Sequence, residues 1–101
     1  MKKLCLVAVL AMLTACGSDR SGAEDAVRTI LKDPESARFG EIYYNEFTKK
    51  GCLTVNAKNS IGGYTGDQQA FIRRTEQGWE ATSIAEIDQE GCRQVHADQA
   101  R

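Results

Sequence analysis

Cys52-Leu53-Thr54-Val55-Asn56-Ala57 decides the fold. Leu53, Val55 and Ala57 alternate with Cys52, Thr54 and Asn56, the two-residue period of a strand that lays one face on a core. Upstream, Lys49-Lys50-Gly51 reads as a hairpin turn, and Phe39 to Phe47, rich in aromatic and β-branched residues, reads as the strand before it. Ile42 and Tyr44 are expected on one face of that strand. Phe39, Tyr43 and Phe47 are expected to share the other after a kink at Gly40. Downstream come a loop from Lys58 to Gly66, a third strand from Gln68 to Thr75, a turn at Glu76-Gln77-Gly78, and a fourth strand from Trp79 to Ser83.

A helix is expected on the N-terminal side. Ser21 and Glu24 have capping-box spacing. Ala23, Ala26, Val27, Ile30 and Leu31 then form one apolar stripe, and Asp33-Pro34 should end the helix because the residue before proline is pushed out of the α region. After the last strand, Ile84, Ile87, Asp88, Cys92 and Val95 are spaced for a weakly amphipathic helix that Gly91 should break or end, and His96 to Arg101 reads as a frayed tail. The expected class is α+β: an N-terminal amphipathic helix packed on a four-stranded, mostly antiparallel sheet, with one disulfide and a short C-terminal helix.

The first residues carry a different signal. Lys2 and Lys3 precede an unbroken apolar run from Leu4 to Leu13, too short to span a bilayer, which needs roughly 20 residues. The run ends at Leu13-Thr14-Ala15-Cys16 and turns polar at Gly17. That ending resembles the lipobox of bacterial lipoproteins, which implies lipid on the Cys16 thiol and cleavage before it. The alternative is an ordinary secretory signal cut after Ala15, leaving Cys16 as a thiol. Residues 1–15 are therefore expected to be a signal peptide, 16–22 a lipidated tether, 23–95 the α+β domain and 96–101 a flexible tail. Gly17 stands where an inner-membrane retention signal usually has Asp, so by family analogy the outer membrane is favoured over the inner.

Removing residues 1–15 leaves 86 residues with 30 apolar ones, a thin supply for a core, and domains this small often need a staple. With Cys5 in the leader and Cys16 in the lipobox, Cys52 and Cys92 remain as a pair in an exported chain, and a disulfide is the natural reading. Two reduced thiols are the alternative. A metal pair is set aside because no histidine is read as a near neighbour of either cysteine. The net charge of −1 becomes −3 without Lys2 and Lys3, and no basic run exceeds two residues, so neither nucleic acid nor an anionic lipid surface is an expected partner.

The densest polar stretch is Asn56 to Gly66, with amides, a cation, three glycines and Tyr64 in one inter-strand loop. Asn56, Lys58, Asn59 and Tyr64 are its candidate binding residues, since glycines expose backbone amides and tyrosine offers a broad amphipathic surface. The alternative is a hairpin loop whose side chains pair with its own backbone. It lacks the Gly-Lys-Ser/Thr of a phosphate loop. Leu31-Lys32-Asp33-Pro34-Glu35-Ser36-Ala37-Arg38-Phe39, Gly51-Cys52, Val55-Asn56-Ala57-Lys58-Asn59, Gly62-Gly63-Tyr64-Thr65-Gly66 and Phe71-Ile72 together resemble a group of small bacterial and prophage-associated lipoproteins. The resemblance implies a shared fold, a cysteine pair and an interaction role in the envelope, but no activity.

No catalytic constellation and no metal or cofactor site is expected. His96, the one histidine, falls in the expected tail, and the cysteines are better explained by each other. Acid pairs such as Asp88 with Glu90 read as a solvated helix face. The expected function is that of a lipid-anchored, non-catalytic interaction module with an envelope protein as partner, able to modulate or occlude an outer-membrane receptor. The alternatives are an inhibitor of a periplasmic hydrolase or a structural envelope lipoprotein.

Overall fold

The computed structural model describes residues 19–99, with side chains as far as His96. The expected signal peptide, Cys16 and the first residues of the expected tether lie outside the described residues. A helix, α1, covers 19–28; four strands follow, β1 (Arg38–Asn45), β2 (Lys50–Asn56), β3 (Gln68–Thr75) and β4 (Gly78–Ala85); a second helix, α2, runs Gln89–Gln99. The strands form one antiparallel meander in the order β1-β2-β3-β4. The fold is α+β, with a helix on each face of the sheet.

The alternation in β2 places Leu53, Val55 and Ala57 in the core with Ala70 and Ile72 of β3, and Ala23 and Val27 of α1 cover them. Phe39, Ile42, Trp79 and Ile84 pack around this cluster. Gly22 lets the Trp79 ring lie against α1, because a β-carbon there would sit 2.8 Å from the ring. The other sheet face carries Cys52, Thr54, Gln69 and Phe71, and α2 closes over part of it through the Cys52–Cys92 disulfide.

α1 already includes Asp19 and Arg20, so residues 19–22 are helical rather than tether. Ser21 therefore lies inside the helix instead of capping it. Glu24 is taken by Arg20 at 2.9 Å and faces Arg28 at 3.7 Å, i,i+4 pairs that support an exposed helix surface. The helix also stops before Pro34. Its last turn tightens to i→i+3 bonds from Thr29, Ile30 and Leu31, and Pro34–Ser36 forms a separate 3₁₀ turn.

Other corrections come from backbone geometry. The β1–β2 register shifts between Phe39 and Ile42, a bulge at the expected kink. It brings Phe39 to the core side with Ile42, while Tyr43 faces α2, so Phe39 and Tyr43 do not share a face. The hairpin turn is 46–49 rather than 49–51: the Asn45 side-chain oxygen accepts from the Phe47 and Thr48 amides at 2.8 and 3.2 Å, and Lys49 takes φ 61°. β4 extends to Ala85, with a second register shift between Phe71 and Ile72. Gly91 does not break α2. Asp88 caps that helix, its Oδ1 accepting from the Gly91 amide at 2.7 Å, so Gly91 sits in the first turn where its lack of a side chain costs little.

Gly51 belongs to β2, and a β-carbon there would come within 1.9 Å of the Tyr43 carbonyl oxygen. Main chain cannot give way as a side-chain tip can. Gly51→Ala is expected to destabilise by about 3 kcal/mol or more, the upper end of overpacking costs. Gly63→Ala, with nothing within 4 Å of the added carbon, serves as control and should stay within roughly 0.5 kcal/mol. Urea melts of the two variants give both values.

Candidate functional site

The Asn56–Gly66 loop brings its four singled-out residues together, yet the side-chain oxygens of Asn56, Asn59 and Tyr64 are engaged by neighbouring backbone, and the Lys58 ammonium lies 5.7 Å over the Tyr64 ring. Asn59 Oδ1 accepts from the amides of Ile61 and Gly63 at 3.0 and 3.2 Å, and the Asn59 amide donates to the Gly63 carbonyl at 2.8 Å. Asn56 Oδ1 accepts from the Gly66 amide at 3.0 Å. Gly62 and Gly66 take φ 86° and 89°, which side-chain-bearing residues rarely adopt. Tyr64 donates to the Ser36 carbonyl at 3.1 Å beneath the Arg38 guanidinium, and the Lys58 amide donates to Ser36 Oγ at 2.8 Å. The loop is braced on itself and on the 3₁₀ turn. What it displays is Ile61, 90% exposed at its tip.

Beside the loop, at the end of the sheet where β1 and β3 begin, lies an open cleft of about 680 Å³. Four carboxylates from three segments line it: Glu41 of β1, Asp67 before β3, and Glu86 and Asp88 after β4. Its floor is a chain of neutral polar groups. Gln89 Nε2 donates to Gln69 Oε1 at 2.6 Å, and Gln69 Nε2 donates to Thr54 Oγ1 at 2.9 Å. Gln69 is 2% exposed, so these bonds offset the cost of burying its amide. Gln89 Oε1 is buried with no hydrogen-bond partner among the described residues. The cleft is thus rich in acceptors, suited chemically to a ligand that donates hydrogen bonds or carries positive charge.

A third cluster lies between the sheet and α2. His96 is 3% exposed rather than part of a frayed tail, its Nε2 3.6 Å from Cys52 Sγ and its ring stacked on Tyr43, with Phe71 edge-on. Its Nδ1 is buried with no hydrogen-bond partner among the described residues. The ligand atoms of Cys52, Cys92 and His96 lie within 4.8 Å of one another. Because the two sulfurs are bonded to each other, neither is a thiolate that could ligate a metal or attack a substrate. Sequence reasoning missed this histidine. Cys92 and His96 are four residues apart, hence on one helical face, a spacing hidden by reading Gly91 as a stop.

Comparison of the chain with protein-family models, curated proteins and solved structures finds no match.

Proposed function

We propose that the chain is an exported, lipid-anchored binding module that holds its acid-lined cleft away from the membrane, toward a partner in the cell envelope. The observation that carries this reading is the polarity of the domain. Arg74 pairs with Asp19 at 2.7 Å and its amide bonds the Lys49 carbonyl, so Asp19, the first described residue of α1, lies toward the end of the sheet bearing the 46–49 turn. The cleft and the braced loop occupy the opposite end. With Cys16 three residues before Asp19, a lipid at Cys16 leaves the cleft on the far side. Acceptors gathered there favour a cationic or donor-rich group on the partner over an acidic one.

Two measurements test the reading. Cys16→Ser should abolish incorporation of a palmitate analogue and leave the precursor uncleaved. In capture from native envelope, Glu41→Lys with Asp67→Lys should lose the wild-type partner at unchanged melting temperature, since both side chains are exposed. A variant that still binds the same partner equally well removes the cleft from consideration. The exposed Ile61 favours a second reading, insertion of the loop into the cleft of an envelope hydrolase. Ile61→Asp, and not the cleft variant, would then abolish capture.

A further inference from the structure

We infer that the turn at 46–49 docks on the bilayer itself, with Phe47 inserted among the lipid headgroups and upper acyl chains. The inference rests on Cys16 being the anchor, and adds that the domain has one fixed orientation on the membrane rather than swinging on its lipid. Phe47 is 96% exposed at the apex of the turn. Its backbone is pinned by Asn45, which accepts from the Phe47 and Thr48 amides and bonds the Lys49 amide at 2.8 Å, so the ring is held outward instead of folding back on the sheet. Asp19 of α1 lies toward this same end through the Arg74–Asp19 pair.

Chain length limits what else can face Phe47. Consecutive Cα atoms are 3.8 Å apart, so Cys16 lies at most about 11 Å from Asp19. A lipid on Cys16 therefore brings the bilayer within reach of this end of the domain. Charge at this end is balanced: Arg74 is paired with Asp19, Arg73 is paired with Glu80 at 2.9 Å, and Lys49 and Lys50 are offset by Glu46 and Glu76. The surface thus fits a zwitterionic headgroup zone and does not depend on anionic lipid. Burying one phenylalanine favours the docked orientation over free swinging by roughly tenfold to a hundredfold.

The experiment uses the acylated chain in phosphatidylcholine vesicles whose acyl chains carry bromine, a short-range quencher of tryptophan. Phe47→Trp should lose emission relative to the same protein in unbrominated vesicles, once the wild-type signal of Trp79 is subtracted. Ile61→Trp, at the opposite end and equally exposed, should lose none. Both positions are solvent-facing, so neither replacement threatens the fold. Mass analysis of the same samples reports the lipid on Cys16. Lipid present without quenching at position 47 overturns docking and leaves the anchor standing, as does equal quenching at 47 and 61. Absence of lipid on Cys16 overturns both. A Phe47→Trp emission change that grows with protein concentration in the absence of vesicles assigns the turn to a second copy of the chain and also overturns docking.

Discussion

Replacing Cys52 and Cys92 together with alanine is expected to lower the stability of the domain by about 3 to 4 kcal/mol, a large share of the roughly 5 to 15 kcal/mol that holds a typical domain together. The bridge closes a separation of 40 residues, so cutting it returns loop entropy to the unfolded chain. It is also a covalent fastening of α2. That helix has 11 residues, about the length at which isolated helices are marginal in water, and its other inward contacts among the described residues are made by Gln89, His96 and Arg93, the last over the Tyr43 ring. Loss of the bridge should therefore free α2 first and uncover Tyr43, Phe71 and the floor of the cleft. Urea melts of the double variant measure the loss, and hydrogen exchange should show α2 opening well below the global unfolding energy. A double variant within about 1 kcal/mol of wild type, with α2 still protected, would show that packing alone holds the helix.

Leu53→Ala is expected to cost a similar amount, about 3 to 5 kcal/mol. Leu53 is fully buried in the second strand of the meander, paired with Ile42 on one side and Ala70 on the other, beneath α1. The core holds few large side chains besides it. Ala23, Ala57 and Ala70 account for three of its seven buried members, so little bulk is at hand to collapse into the space. Denaturant midpoints report the change, with Val95→Ala, on the exposed side of α2, as a control expected within roughly 0.5 kcal/mol. An equal effect at the two positions would mean that the sheet face under α1 is not the core.

The candidate site was less legible than the fold. The loop from Asn56 to Gly66 stood out because asparagine, glycine and tyrosine gather there, but composition does not say whether an amide points to a ligand or to its own chain. Asn56 and Asn59 do the second. The cleft went unseen because Glu41, Asp67, Glu86 and Asp88 come from three segments with no shared spacing. Asp88 and Glu90 read as a pair on one solvated face, whereas Asp88 is the cap that lets α2 begin.

By itself the sequence determined what depends on neighbours along the chain. The period of two from Cys52 to Ala57 set β2 and its buried face, the Gln68–Thr75 run set β3, Glu76 to Gly78 set the turn after it, and Cys52 and Cys92, the two cysteines outside the N-terminal stretch, set the disulfide. Tertiary structure alone decided what depends on register between distant segments. A bulge between Phe39 and Ile42 moved Phe39 to the core side, α2 continued past Gly91 with the Asp88 side chain capping the Gly91 amide, and His96 thereby came to rest against the disulfide. Periodicity and turn propensity are local quantities. Burial at position 96 and the meeting of four carboxylates at one end of the sheet follow from which strands pair and how far each is shifted, which no local window contains.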